Sequence, residues 1–150
     1  MRSLSTAALT TLFSLGALGG AAASGRTAIE GPVNATVIRV IDGDALLVRA
    51  TPWPQHSIDV YVRLRGIDAP ELKARCEAER FAARMARRAL GEKVPEASEV
   101  HLSRISGDKY FGRVLADVHL ADGSNPAGDL LAEGYVQPYG GGKRARPVCF

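Results

Sequence analysis

Apolar and polar residues alternate in five short stretches of this chain, and alternation predicts β-strands because successive side chains of a strand point to opposite faces. The predicted strands cover residues 33–40, 44–48, 58–67, 99–105 and 114–120. The alternation is cleanest in the last stretch, where valine, alanine, valine and leucine occupy every second position. The pattern therefore predicts a small, mainly β domain.

Two segments change to a helical spacing of apolar residues. Between residues 72 and 90 the apolar positions recur every three or four residues, which predicts an amphipathic helix that ends at Gly91. Asn125 followed by Pro126 has the form of an N-cap and a first helical proline, so a second, short helix is expected to begin there and to end at Gly134. Five strands with these two helices are consistent with a closed or nearly closed barrel.

The densest group of chemical side chains lies in residues 62–71. Arg63 and Arg65 alternate with apolar residues there, so a half-buried strand would turn both arginines away from the core and leave them exposed. Asp68 and Glu71 follow within a few residues. Two carboxylates close to a guanidinium group suit the binding of a cation and a phosphate.

A tight turn is expected to bring another acid to this stretch. Asp42-Gly43 between two β-rich runs is a strong hairpin signal, so Asp44 is predicted to open the second strand. If the third strand is antiparallel to the second, its end brings Asp68 next to Asp44. With a backbone carbonyl, water and substrate oxygens, these carboxylates would form an oxygen shell that suits Ca²⁺ better than a soft metal. Asp42 is expected to form the turn rather than to bind the ion.

Three motifs in series resemble the staphylococcal nuclease (thermonuclease) family. They are Ile41-Asp42-Gly43-Asp44, Val62-Arg63-Leu64-Arg65-Gly66-Ile67-Asp68-Ala69-Pro70-Glu71 and Asp108-Lys109-Tyr110-Phe111-Gly112-Arg113. The resemblance covers roughly residues 33–139, and it implies a mainly β fold with helices, an OB-fold five-stranded barrel of the staphylococcal nuclease type. It also implies calcium-dependent hydrolysis of phosphodiester bonds in DNA or RNA, with little sequence preference and with 3′-phosphate and 5′-hydroxyl products.

The resemblance further implies a role for each site residue. The residues that match the family's calcium ligands are Asp44, Asp68 and Ala69, the last through its backbone carbonyl. Glu71 matches the proposed general base, and Arg63 and Arg113 match the two phosphate-binding arginines, whose planar forks can grip a phosphate with two hydrogen bonds. Phe111 is an extra residue in the third motif, and we expect the loop to absorb it so that Arg113 stays in register.

Other readings of the chain stay open, because a barrel of this type also serves as a plain binding module. The first alternative is a catalytically inactive OB-fold module that binds nucleic acid, and the second is a structural domain stapled by a disulfide. The 19 basic and 16 acidic residues give a net charge of +3, a mild bias that tolerates a polyanion but does not identify one as the partner. The joint retention of Arg63, Arg113, Glu71 and the two aspartates favours the nuclease.

The first 23 residues have the pattern of a secretory signal, with Arg2, an apolar run over residues 4–18 and small residues up to Ala23. A membrane anchor is the less favoured alternative, because the run is short and contains Ser, Thr and Gly. Cleavage after Ala23 would leave residues 24–150 as one nuclease domain with 18 basic and 16 acidic residues, a net charge of +2. We expect that domain to be exported to the periplasm or the medium, as a monomer without stable membrane association.

Cys76 and Cys149 are the only cysteines of the chain. In an exported protein an even pair is more often a disulfide than two free thiols, so we predict a bridge that ties the C-terminal tail to the first helix. The alternative, a zinc site, lacks neighbouring cysteine or histidine ligands.

Overall fold

The computed structural model describes residues 28–144 and residue 149, so the predicted signal peptide of residues 1–23 lies outside the described residues. In chain order the elements are β1 (Ala28–Ile29), β2 (Val33–Asp42), β3 (Ala45–Trp53), β4 (His56–Leu64), β5 (Ile67–Asp68), α1 (Glu77–Lys93), β6 (Glu99–Gly107), β7 (Arg113–Leu120), α2 (Pro126–Ala132) and β8 (Gln137–Pro138).

The five long strands close into a barrel, as predicted. Hydrogen-bonded neighbours follow the order β6, β2, β3, β4 and β7, and β7 pairs back with β6. β4 and β7 run parallel, whereas the other barrel pairs are antiparallel. The predicted arrangement of five barrel strands with two helices is therefore confirmed.

Aliphatic side chains fill the barrel and seat the helices on it. Leu46, Leu64 and Leu102 are fully buried on the strands, as are Leu90 of α1 and Leu130 of α2. Burial of each leucine contributes about 1.5–3 kcal/mol relative to an exposed one. The two helices are consequently held against the barrel by the same apolar core that closes it.

The register of β3 and β4 brings the start of one strand beside the end of the other. Ala45 pairs with Arg63, and the Leu64 N–H donates to the Asp44 carbonyl at 2.9 Å. Asp44 itself belongs to the turn rather than to the second strand, since β3 begins one residue later. The third predicted strand also ends earlier than expected, because Gly66 adopts a φ of +85° in a turn that separates β4 from β5.

α1 begins later and ends later than its sequence pattern indicates. Cys76 is the N-cap with an extended backbone, and the helix continues through Gly91 to Lys93. The Val94 N–H donates to the Leu90 carbonyl at 2.9 Å and completes the last turn. Gly91 is an ordinary helical residue here, so the prediction that it ends the helix is wrong.

A bulge interrupts the fourth barrel strand. Arg104 has a φ of +46°, and the register of β6 against β7 shifts between Ser103 and Ser106. Arg65 spans the bulge, since its Nη2 atom donates to the Arg104 carbonyl at 2.5 Å and to the Leu115 carbonyl at 3.1 Å. The Arg65 guanidinium therefore links the backbones of β6 and β7 and has a structural role.

The predicted disulfide between Cys76 and Cys149 is present, with the two Cα atoms 5.9 Å apart. It closes a loop of 73 residues, which contributes about 4 kcal/mol on the chain-entropy estimate. Within the described part of the chain, no helix is both long and apolar enough to cross a membrane.

Gly43 is required by a close approach of the β2–β3 turn to α1. An added Cβ would lie 2.6 Å from the Ala86 Cβ and 2.8 Å from the Ala69 Cβ, and neither short side chain can rotate away. We expect Gly43→Ala to lower the free energy of unfolding by about 1–3 kcal/mol in urea titrations. Gly91→Ala is the matched control, because its added Cβ meets only a Val40 methyl at 3.8 Å and the helix gains about 0.5–1 kcal/mol. Equal unfolding free energies for the two variants would contradict this packing.

Candidate functional site

Arg63 lies inside the protein, with 10% of its side chain exposed. Its Nη2 atom lies 2.6 Å from Oδ1 of Asp68 and 3.1 Å from Oδ2 of Asp44, and it donates to the Ile67 carbonyl at 3.3 Å. The predicted convergence of Asp44 and Asp68 is confirmed, because both carboxylates contact the same guanidinium nitrogen. The prediction that Arg63 and Arg65 are exposed is wrong. Asp44 and Asp68 cover the Arg63 side chain, whereas the Arg65 side chain, 26% exposed, is covered through its contacts with β6 and β7.

Asp44 is the most buried acid of the cluster, with 2% exposure. Burial raises the pKa of Asp44 to about 7, and the neighbouring Asp42 adds to the rise, although Arg63 and the Ala69 N–H act against it. Burial alone would lower the pKa of Arg63, but the adjacent carboxylates outweigh it and raise that pKa above its ordinary value. Arg63 therefore stays charged, and the negative charge of Asp44 is only partly compensated.

The turn residues hold Asp44 in place. Oδ1 of Asp42 accepts a hydrogen bond from the Asp44 N–H at 3.1 Å, which agrees with its predicted role as a turn former. Oδ2 of Asp44 in turn accepts from the Ala69 N–H at 2.9 Å. The peptide of Ala69 thus lies beside the acids, and ligation by its carbonyl stays a prediction.

The chemistry of the acids fits a hard divalent cation. The four neighbouring carboxylates are those of Asp42, Asp44, Asp68 and Glu71. In the described part of the chain they pair with two guanidinium groups, those of Arg63 and Arg144. When all four acids ionise, their negative charge exceeds that of the two guanidinium groups, and their carboxylate oxygens are the ligand type that Ca²⁺ prefers.

Glu71 lies at the rim of the cluster, with 55% of its side chain exposed. Its N–H donates to Oε1 of Glu79 on α1 at 3.3 Å, and Oε1 of Glu71 pairs with Nη1 of Arg144. Nη2 of the same arginine lies 2.7 Å from Oδ1 of Asp68. A single tail arginine therefore bridges two of the predicted site acids.

Arg113 begins β7, where the extra residue of its motif has been absorbed by the preceding turn. Phe111 is fully exposed at the tip of that turn, and the Arg113 N–H donates to the Tyr110 carbonyl at 3.2 Å. Nε of Arg113 pairs with Oδ2 of Asp108, and its guanidinium lies 4.7 Å from the centre of the Tyr110 ring. These contacts fix the direction of the side chain at the start of β7, and its register relative to the family stays a prediction.

One open cleft of about 770 Å³ collects the predicted catalytic residues. Arg63, Glu71 and Arg113 all line it, together with the cationic Lys109 and Arg144. The sequence motifs thus meet at one place, although residues 63 and 113 lie on different strands. A concave surface with several cations beside an acid cluster suits a phosphate chain that contacts a bound metal.

Among the cleft residues that have no assigned role in the sequence motifs are Asp108, Tyr139 and Arg144. Asp108 orients Arg113, and the Arg63 guanidinium lies 5.7 Å from the centre of the Tyr139 ring. Arg144 covers Asp68 and Glu71. The contact of Asp108 with Arg113 could have been predicted, because the two residues lie at opposite ends of one short loop. The contacts of Arg144 with the acids could not, because they are tertiary contacts between segments far apart in the sequence.

Another group of metal-ligand types occurs among the described residues, formed by Cys76, Glu79 and Cys149. The two sulfurs are bonded to each other, so neither is a thiolate that could hold zinc. This agrees with the expectation that zinc is disfavoured.

A sequence model described as "Staphylococcal nuclease homologue" matches residues 61–145, which is more than half of the chain. The match runs from β4 to the tail and includes Arg63, Asp68, Glu71 and Arg113, whereas Asp44 precedes it. Among curated proteins, none matches the chain.

Proposed function

Because the chain belongs to the staphylococcal nuclease homologue family, we propose that it is an exported, calcium-dependent nuclease that hydrolyses phosphodiester bonds of DNA or RNA with little sequence preference. The observation that carries the proposal is the meeting of Arg63, Glu71 and Arg113 in one cleft beside the buried Asp44 and the partly buried Asp68. Export is supported by the disulfide and by the signal-like pattern at the start of the sequence.

Arg63 and Arg113 would have different roles at the phosphate. The Nε contact of Arg113 with Asp108 uses one of the five N–H donors of its guanidinium group, and a quarter of its side chain is exposed. Arg113 would therefore grip the phosphoryl oxygens as negative charge develops on them. Arg63, with most of its contacts to Asp44 and Asp68, would hold the acids in position and face the same phosphate from the cleft wall.

Asp44, Asp68 and the Ala69 carbonyl would hold Ca²⁺, which when bound supplies a Lewis acid for the phosphate. Glu71 would accept a proton from the attacking water, whose oxygen forms the new bond to phosphorus. The bond from phosphorus to the 5′ oxygen then breaks, and that oxygen takes up a proton from water, which leaves a 3′-phosphate and a 5′-hydroxyl. The exposed position of Glu71 in the cleft supports this role, because water can reach it.

The test is cleavage of single-stranded DNA and RNA by residues 24–150, produced in an oxidising compartment, with Ca²⁺ and with EDTA. We expect cleavage with Ca²⁺ and at least about a hundredfold loss with EDTA, since the metal supplies several kcal/mol of charge stabilisation. Asp44→Ala should abolish cleavage in the presence of Ca²⁺. Binding of the nucleic acid by the protein without cleavage would overturn the proposal in favour of the inactive binding module.

A further inference from the structure

Arg144 occupies the carboxylates that the proposed chemistry needs. It contacts Oδ1 of Asp68, a proposed metal ligand, at 2.7 Å, and it pairs with Oε1 of Glu71, the proposed base. We propose that Arg144 is a tethered competitor of the divalent cation, held over these two acids by the Cys76–Cys149 disulfide, so that the oxidised tail weakens cation binding. This inference rests on the proposed function for the identity of the cation.

Two guanidinium groups share the same oxygen of Asp68. Arg63 reaches Oδ1 at 2.6 Å and Arg144 reaches it at 2.7 Å. A divalent cation on this oxygen would face both positive charges, so one of them has to leave. Arg63 is fixed in β4 with 10% of its side chain exposed, whereas Arg144 is 41% exposed on the tail. Arg144 is therefore the group that gives way when the cation binds.

The tail is fastened on both sides of Arg144. On the N-terminal side the Tyr139 N–H donates to the Gly66 carbonyl and the Tyr139 hydroxyl donates to the Gly142 carbonyl, both at 2.9 Å. On the C-terminal side Cys149, five residues further on, is bonded to Cys76.

The anchor of the tail also lies close to the acid loop. The Cys149 sulfur is 3.9 Å from Oε2 of Glu79, and Oε1 of Glu79 accepts the hydrogen bond from the Glu71 N–H. Such tethering keeps Arg144 near the acids at a high effective concentration, and cleavage of the disulfide releases one end of the tether. A site that is free only part of the time binds its ligand with a correspondingly weaker apparent affinity.

Calorimetric titration of Ca²⁺ into oxidised residues 24–150, without nucleic acid, tests the competition directly. We expect Arg144→Ala to bind Ca²⁺ about 3- to 10-fold more tightly than the unmodified chain, the range expected when a partly exposed ion pair no longer competes. Lys143→Ala is the matched control, because it removes the same charge one residue earlier, and its affinity should equal that of the unmodified chain. Equal affinities for Arg144→Ala and the unmodified chain would overturn the inference, as would an equal gain in the Lys143 variant.

Reduction of the disulfide tests the tether, with far-UV circular dichroism to verify that the domain stays folded. Reductant should tighten Ca²⁺ binding of the unmodified chain toward the Arg144→Ala value and leave that variant unchanged. A shift of the same size in both proteins would overturn the role of the disulfide. DNA that stays intact while the affinities shift as expected would defeat only the proposed nuclease function, whereas DNA cleavage without any shift would defeat only the competition.

Discussion

Replacement of Arg63 by methionine should lower the free energy of unfolding by about 3–5 kcal/mol and abolish measurable cleavage. Methionine keeps much of the volume of the stem but leaves the buried Asp44 and the partly buried Asp68 without their shared counter-charge, and loss of one partner of a buried ion pair has this cost. The same acids are the proposed ligands of the metal, so their displacement would also remove the catalytic cation.

The matched control for Arg63→Met is Arg113→Met, which removes a guanidinium group from a more exposed ion pair and should change stability by less than about 1 kcal/mol. Urea titrations of both variants in EDTA give the comparison. Burial already raises the pKa of Asp44 to about 7, and a raised carboxyl pKa reduces stability as pH rises. The loss in Arg63→Met should therefore be larger at pH 8 than at pH 5, where Asp44 takes up a proton. A loss equal to that of the control at both pH values would contradict the buried network.

Replacement of Arg113 by alanine should lower turnover on single-stranded DNA by roughly 10²- to 10³-fold. This is the scale observed when one preorganised donor to a transition state is removed. Arg113→Lys should recover little of the rate, because an ammonium group cannot form the two-pronged contact with a phosphate. The side chain packs against Tyr110 and Asp108 at the surface of the cleft, so we expect the melting temperature to change little.

Steady-state kinetics on both Arg113 variants, beside a thermal melt, provide the measurement. Phe111→Ala is a useful control, because this side chain is fully exposed at the tip of the same turn and should have no effect on turnover. Near wild-type turnover in Arg113→Ala would transfer the phosphate-gripping role to Arg63 or to Lys109.

Local patterns were sufficient to predict the five barrel strands, the β2–β3 turn and the partnership of Asp44 with Asp68, but not the two-residue strands β1, β5 and β8. The reason is geometric. An Asp-Gly turn fixes where the second strand starts, and antiparallel pairing then places the end of the third strand beside that start. The disulfide could also be predicted, because two cysteines have only one possible pairing.

Features that depend on packing between distant segments could not be read from the sequence. Alternation assigns Arg63 to a polar face, but it does not reveal that the acids cover that face. The N-terminus of α1 was placed too early because apolar residues continue ahead of Cys76 in a segment that forms turns. The contact of Arg144 with Glu71 joins positions 73 residues apart, and no motif contains both.

The parallel seam of the barrel lies between β4 and β7, which pair over only four residues on each strand, from Tyr61 with Arg113 to Leu64 with Ala116. The β2–β6 pairing also covers four residues, but it is antiparallel. Parallel pairing is slightly weaker per residue than antiparallel pairing. Arg63 and Arg113 lie on opposite sides of this seam. Separation of the two strands would therefore move apart the two arginines that are proposed to contact the phosphate, while β2, β3 and β4 stayed paired. Activity would then be lost on heating or in denaturant when β4 and β7 separate, before the domain unfolds as a whole.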